Sequence, residues 1–469
     1  MITSIWREKL FVLLSHTNIS LLSLSFLTPL YKIYPGAIQA TKRRPSISKF
    51  LRSQNEKVVL SLYRNPDRKY IVLGLMTAIT FQIGVDFIPV EFFSICYLIF
   101  AVGKPFKVQN IHLKFFLKSI IVFGFLLILT QLFTDSYLGI SRFETVKSIA
   151  QILTLVSLMF AGINLLAQNA QRLHYFLIGY ALSSLLTFYF FANVYIDTDP
   201  WKFLFANSAS ILVFLLLGRL KRIRSVQLLV ILTLTSIHLI LGARSSALLA
   251  LLTVIAIIIP HRILSSKRSF VMIILSIFLI SSGAEQVYQR LALNGTLGVT
   301  QQIKAKQQFE FGPLILVARS EILYEIGSIK ESFIFGKGSN PNLSQSLLFS
   351  VSLAQERLGL QTKKNAAYEQ YLKNGKIPQH SMLFSSWVEN GIIGLLFWLI
   401  ILIFLVRNFR LVFSSDNNFT FLTSYLLLAT LWSLFFSPLG AGSRLFIALA
   451  VTCVSSIVIS ESEVEGTRD

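Results

Sequence analysis

The stretch SMLFSSWVENGIIGLLFWLIILIFLV, residues 381–406, contains a single charged side chain, the carboxylate of Glu389. An apolar stretch of this length is typical of a helix that crosses a lipid bilayer. Residues 119–133 form a second such run. Over all 469 residues the chain is 54% hydrophobic and only 14% charged, which excludes an ordinary soluble protein. We predict an all-α polytopic membrane protein.

Apolar runs of roughly 16 to 25 residues predict about twelve transmembrane helices. These runs are 70–86, 87–103, 115–134, 148–167, 174–195, 203–218, 226–242, 245–260, 269–283, 381–406, 419–437 and 444–460. Spans one to nine thus occupy 70–283 and spans ten to twelve occupy 381–460, with a large hydrophilic loop, 284–380, between them. Residues 1–69 form a basic N-terminal segment, in which 10–31 either lie in the interface or span, and 461–469 form a tail.

The positive charges give the predicted orientation. The net charge is +21, from 43 Lys and Arg against 22 Asp and Glu, and the basic residues cluster between apolar runs at 42–69, 104–118, 219–224, 261–268 and 407–410. In a soluble protein such a charge would suggest a nucleic-acid partner, but here the positive-inside rule places all five clusters in the cytoplasm. We therefore expect no nucleic-acid partner, both termini inside, and the large loop outside.

Four side chains at the predicted outer boundary are candidates for chemistry. They are Arg244 between two apolar spans, Arg319 on a predicted loop helix (314–331), His380 where the loop re-enters the membrane, and Arg444 at the start of the last span. Guanidinium groups bind phosphate oxygens through paired hydrogen bonds, and an imidazole accepts a proton near neutral pH. Each also has an ordinary interpretation: Arg244 as a snorkelling side chain, Arg319 as part of a solvated helix face, His380 as a water-bonded interfacial residue, and Arg444 as an anchor.

Carboxylates offer two further possibilities. Asp197 and Asp199 have the spacing by which many glycosyltransferases hold a divalent metal, although a turn that begins a span explains them more simply. Glu389 lies at membrane depth, where an ionisable side chain marks either a transport pathway or a helix-to-helix hydrogen bond. Cys96 and Cys453 lie in separate apolar runs, which predicts neither a disulfide nor a thiolate metal site.

Three stretches together resemble the O-antigen ligase and O-antigen polymerase family of bacterial envelope enzymes. They are 239–248 around Arg244, the segment from Arg319 to the Gly336-Lys337-Gly338 turn, and 380–395 from His380 through Glu389-Asn390-Gly391. The similarity covers about 226–406. Ser381 stands where the family usually has Asn, and Tyr324 stands near its usual Trp.

The resemblance implies a GT-C-like, metal-independent, inverting glycosyltransferase of the bacterial inner membrane, without a cofactor. Arg244 and Arg319 would bind the diphosphate of an undecaprenyl-diphosphate-linked glycan donor, and His380 would activate an acceptor hydroxyl. Glu389, Gly336 and Gly338 of the motifs would support the site. Arg444 lies outside the similar stretch and is a further supporting candidate by its position, although an anchor of the last span explains it more simply. The acceptor would be lipid A-core, as in a ligase, a growing polysaccharide, as in a polymerase, or a protein hydroxyl. The alternative from another class is a polysaccharide flippase or other transporter.

Overall fold

The computed structural model describes residues 66–82, 86–101, 108–190, 199–219, 224–258, 286–296, 298–299, 302–303, 305–306, 321–358, 375–415 and 417–466. Within these ranges the chain is almost wholly helical. A small antiparallel hairpin joins β1 (Phe81–Gln82) to β2 (Asp86–Phe87). The predicted ninth span at 269–283 and the N-terminal segment through residue 65 lie outside the described residues.

The described helices follow one another with short connections. In chain order they are α1 (Lys69–Leu75), α2 (Pro89–Ala101), α3 (Ile111–Leu138), α4 (Arg142–Ala161), α5 (Ala170–Phe190), α6 (Ala206–Arg219), α7 (Arg224–Ile240), α8 (Arg244–Ile258), α9 (Ile322–Glu331), α10 (Gln345–Arg357), α11 (Met382–Ser414), α12 (Thr420–Phe436) and α13 (Ala441–Gly466). A π turn at Gly162–Leu166 extends α4, and another at Trp201–Phe205 leads into α6.

Six of the described helical segments are long and apolar enough to cross a membrane. They are Ile111–Leu138, Arg142–Leu166, Ala170–Phe190, Trp201–Arg219, Met382–Ser414 and Ala441–Glu463. The predicted class, an all-α membrane protein, is therefore confirmed, whereas the count of twelve spans stays a prediction. The apolar helices α1, α2, α7, α8 and α12 are shorter.

The first predicted span differs from the structure. Instead of one helix over 70–86, α1 ends at Leu75, a 3-10 turn covers Met76–Ala78, and the hairpin follows. The polar residues Gln82 and Asp86 pair across that hairpin, which ends the apolar run as a helix. At about 1.5 Å per residue, the remaining helical stretch is too short for a hydrocarbon core of about 30 Å.

The two largest hydrophobic cores among the described residues are a large one and a smaller one, beside a minor cluster of Tyr288, Ala292 and Ala305. The large core joins α1 to α8 with α11, α12 and α13, and its lining includes the fully buried Trp398 and Tyr425. The smaller core lies within the predicted loop, where α9 and α10 pack on the beginning of α11. Its buried members are Tyr324, Ile329, Leu347, Val351, Ile377 and Val388.

The loop is thus partly a folded unit that packs on α11. Helix α9 matches the C-terminal part of the helix predicted at 314–331, of which the structure describes the residues from 321 onward. Helix α10 was not predicted, because its apolar residues alternate with four serines in the stretch Ser344 to Ser352.

Arg444 is held by a buried ion pair at the beginning of α13. Its Nε donates to Glu91 Oε1 at 2.8 Å and its Nη2 donates to the Asp86 carbonyl at 2.8 Å. Glu91 Oε2 in turn accepts from the Ile88 amide at 2.9 Å, ahead of α2. Both side chains are at most 1% exposed, so the pair fastens α13, α2 and the hairpin together.

We expect Arg444→Ala to lower the free energy of unfolding by about 3–5 kcal/mol, because it leaves Glu91 as an uncompensated buried charge. Arg172→Ala is the matched control, since Arg172 pairs with Asp67 at 2.9 Å but is 39% exposed; it should cost about 1 kcal/mol or less. Denaturant unfolding in detergent measures both. Equal losses in the two variants would contradict a structural role for the buried pair.

Candidate functional site

His380 is fixed at the point where the loop becomes α11. Its backbone amide and that of Ser381 both donate to Glu325 Oε1, at 2.9 and 3.1 Å, and Ser385 Oγ donates to the same oxygen at 2.6 Å. Ser381 also caps α11, with its Oγ accepting from the Phe384 amide. One carboxylate on α9 therefore holds the first turn of α11 and the residue before it.

The imidazole of His380 has a defined environment. Its Nδ1 lies 2.8 Å from the Gln379 carbonyl, which can only accept, so Nδ1 carries the proton and the lone pair is on Nε2. Nε2 is 4.0 Å from Glu321 Oε1, and His380 is about one quarter exposed.

Glu325 is fully buried beneath this site. Burial raises its pKa from 4.5 to about 7, although the hydrogen bonds from Ser385, His380 and Ser381 act in the opposite direction. Its second oxygen, Oε2, is buried and has no hydrogen-bond partner among the described residues. The carboxyl group therefore changes charge near neutral pH directly under His380.

Helix α11 is interrupted at Gly391, and the Gly336–Asn340 loop fills the interruption. Gly391 adopts φ 61° and ψ −147°, which breaks the helical hydrogen bonding. The Val388 and Glu389 carbonyls instead accept from the Lys337 amide at 2.7 Å and the Gly338 amide at 2.9 Å. The Ile392 amide donates to the Ile334 carbonyl at 3.1 Å. Loop and helix thus exchange the backbone hydrogen bonds that a continuous helix would have made internally.

The contact between loop and helix is so close that it requires glycine. Gly336 and Gly338 have φ values of 74° and 76°, in the left-handed region. A Cβ on Gly336 would overlap the backbone of Glu389 and Gly391, and one on Gly338 would overlap Ile140 and Asp135. The Gly-x-Gly turn that the sequence singled out is therefore packed against the Glu-Asn-Gly segment.

Glu389 connects the same loop to the residue before His380. Its Oε1 accepts from the Asn340 amide at 3.2 Å and from Gln379 Nε2 at 2.9 Å. The sequence favoured a helix-to-helix hydrogen bond for Glu389, but both of these partners lie in the loop and not on another helix. Because Gln379 directly precedes His380, the hydrogen bond from Gln379 to Glu389 also restrains the position of His380.

Arg244 lies at another helix junction. A short turn joins α7 to α8, with Gly242 at φ 80° and the Ala243 amide donating to the His238 carbonyl at 2.8 Å. Arg244 begins α8, and its guanidinium lies 4.6 Å from the centre of the Tyr288 ring. Tyr288 belongs to the predicted large loop, so Arg244 contacts that loop.

The other predicted residues have different positions. Arg444 lies in the buried pair with Glu91, where its donors bind protein groups. Arg319 and Asp197 lie outside the described residues. The Asp199 carbonyl accepts from the Phe203 amide at 3.2 Å, as expected of a residue that begins a helical turn.

Sequence reasoning missed a second carboxylate that holds the loop. Asp135, 1% exposed near the end of α3, accepts from the Ser339 amide at 2.7 Å and from Ser339 Oγ at 2.6 Å. Gln131, one turn earlier, donates from Nε2 to Asp135 and to Ser339 Oγ, both at 2.8 Å. The i, i+4 spacing of two polar residues at the end of a span was the available signal.

Comparisons with known proteins identify no relative of this chain: no family model matches, and neither the curated proteins nor the solved structures contain a significant match. The resemblance to the O-antigen ligase family therefore stays a prediction from the three motifs.

We expect Gly391→Ala to lower the free energy of unfolding by about 2 kcal/mol or more, because alanine is strained at this φ and its Cβ would overlap the Ile334 carbonyl. Gly442→Ala is the control, since no atom lies within 4 Å of the added Cβ there. Thermal unfolding in detergent distinguishes them. Equal midpoints for the two variants would contradict the exchanged hydrogen bonding at Gly391.

Glu325 should give the protein a measurable pH dependence. Because its pKa is raised from 4.5 to about 7 in the folded chain, the folded state binds more protons than the unfolded state between these values. Stability is therefore fullest below about pH 4.5 and falls as pH rises to about 7, by on the order of 3 kcal/mol.

Glu325→Gln keeps an acceptor oxygen but cannot ionise. The unfolding midpoint of this variant should therefore lack the part of the pH dependence that Glu325 causes. The difference between the wild-type and variant pH profiles isolates Glu325, since all other titrating groups are shared. Parallel profiles from pH 4 to pH 8 would show that Glu325 does not titrate in this range.

Proposed function

We propose that this protein is a membrane glycosyltransferase of the O-antigen ligase type. It would transfer a glycan from undecaprenyl diphosphate to an acceptor hydroxyl, on the periplasmic face of a bacterial inner membrane. The observation that carries the proposal is the placement of His380: its backbone is fixed by Glu325, Nδ1 carries the ring proton, and Nε2 has a carboxylate nearby.

The reaction uses His380 as a general base. Nε2 accepts the proton of the acceptor hydroxyl as its oxygen forms a bond to the anomeric carbon of the donor sugar, and the bond from that carbon to the diphosphate oxygen breaks with inversion. The electron pair of the broken bond leaves with undecaprenyl diphosphate. Glu321, 4.0 Å from Nε2, stabilises the imidazolium that forms.

The donor diphosphate is assigned to the arginines of the motifs. Arg244 begins α8 beside Tyr288 of the large loop, a position from which a guanidinium binds the phosphates of a lipid carrier at the bilayer surface. We assign Arg319 the same role on the basis of its sequence motif alone, because it lies outside the described residues. Both would offset the charge that develops on the leaving diphosphate, without a metal. Arg444 is left out, because Glu91 and Asp86 already bind its guanidinium.

The acceptor is lipid A-core in the ligase form of the proposal and a second lipid-linked repeat in the polymerase form. Both forms use the same donor and the same base. A flippase of lipid-linked glycans is the alternative from another class.

We expect His380→Ala to lower glycan transfer at least about 100-fold, the contribution of a general base, while leaving the protein folded. His112→Ala is the matched control, because His112 is exposed at the beginning of α3. The measurement uses purified protein in detergent with undecaprenyl-diphosphate-linked glycan and lipid A-core, separating products by gel.

Repeats joined to one another, instead of to lipid A-core, would identify the polymerase form. Wild-type protein that yields no product in detergent but moves the lipid-linked glycan across vesicles would be a transporter. Unchanged transfer in His380→Ala would refute the base.

A further inference from the structure

A cavity that the proposed reaction does not use lies next to the chain segment that contains His380. Its volume is about 180 Å³, and it is lined by residues from the middle of α3, the beginning of α4, the Gly336–Asn340 loop, α11 and the connection between α12 and α13. Gln379 and Met382, on either side of the His380–Ser381 pair, are among its lining residues. A single water needs roughly 10–15 Å³ of such space, so the cavity has room for a ligand group the size of a sugar ring.

Polar and apolar side chains contribute about equally to the lining. Gln151 and Ser148 of α4 line it together with Ser386 and Asn390 of α11. Among the described lining residues, the charged groups are Glu144, Lys147 and Glu389. One positive charge against two carboxylates makes the cavity unsuited to a phosphate group, and two carboxylates are too few to hold a divalent cation by themselves.

One lining atom lacks the partner that burial requires. Asn390 is 2% exposed, and its Oδ1 has no hydrogen-bond partner among the described residues. Leaving a buried acceptor unpaired costs about 1–3 kcal/mol, which a donor from a ligand would recover. Asn390 immediately precedes the interruption at Gly391. Its backbone is restrained there by the hydrogen bonds that Glu389 and Ile392 make with the loop.

From these observations we propose that the cavity binds a hydroxyl-bearing sugar unit of the glycan substrate, with Asn390 Oδ1 accepting a hydroxyl proton. Glu144 and Glu389 provide further acceptors for hydroxyl groups, and Lys147 and Gln151 provide donors. The inference rests on the proposed glycosyltransferase function and deepens it, because it places a neutral sugar next to the base. The sugar belongs either to the donor glycan or to the acceptor.

The first test is direct binding to the purified full-length protein. The probe is the phosphate-free oligosaccharide released by mild acid from the source organism's own surface glycan, observed by saturation-transfer NMR. We expect wild-type protein to bind it, and Asn390→Leu and Gln151→Leu to bind about tenfold more weakly or worse. Gln171→Leu is the control, because Gln171 is exposed on α5 away from the cavity, and it should bind as wild type does.

Gln151→Leu decides the outcome if Asn390→Leu fails to fold, because Gln151 is on α4, away from the Gly391 interruption. Absence of binding by wild-type protein, or undiminished binding by the variants that fold, would overturn the inference. Displacement of the oligosaccharide by inorganic pyrophosphate, abolished in Lys147→Met, would also overturn it, since the cavity would then be an anion site.

A transfer assay separates this inference from the proposed function. The cavity variants should raise KM about tenfold for whichever substrate contributes the bound sugar, donor or acceptor, with a smaller effect on kcat. Oligosaccharide binding that depends on Asn390 and Gln151, in a wild-type protein that transfers no glycan, would refute the glycosyltransferase and leave the sugar site. Active transfer with unchanged KM for both substrates in the variants would refute the sugar site and leave the enzyme.

Discussion

The arrangement of the candidate site depends on one interruption of the helical backbone hydrogen bonds, at Gly391 of α11. Within a bilayer, every backbone amide and carbonyl must find a partner in the protein. The turn at Gly391 releases the Val388 and Glu389 carbonyls from the helix, and Lys337 and Gly338 take them up. Those two carbonyls accept from the loop amides in place of helical partners. The conformation of the loop and that of the helix at Gly391 therefore depend on each other.

Three buried or half-buried carboxylates extend this connection to other helices. Asp135 of α3 accepts from Ser339, Glu325 of α9 accepts from His380 and Ser381, and Glu389 of α11 accepts from Asn340. In each case the donors include backbone amides, which a carboxylate binds more strongly than a neutral acceptor does. The loop is thus fixed on three sides, and His380 takes its position from that framework.

Similar residues acquire different roles through their neighbours. Arg444 and Arg244 each stand at the first residues of a helix that follows a glycine-containing turn. Arg444 meets Glu91 and is 1% exposed, so its charge is used to join helices. The guanidinium of Arg244 lies over the ring of Tyr288, beside the loop, and we propose that it binds the donor phosphates there.

The sequence by itself determined the membrane class, because apolar runs of this length are incompatible with water whatever their packing. It also identified His380, Glu389 and the two glycines of the Gly-x-Gly turn as candidate residues. Each of them lies in a short contiguous motif, which can be recognised without knowledge of the fold. Only the tertiary structure decided that Asp135 and Glu325 hold the loop. Their partners are 204 residues away for Asp135 and 55 or more for Glu325, a separation that no local pattern encodes. The end of α1 and the cavity beside Asn390 likewise depend on how separate helices meet, because an enclosed space belongs to no single segment.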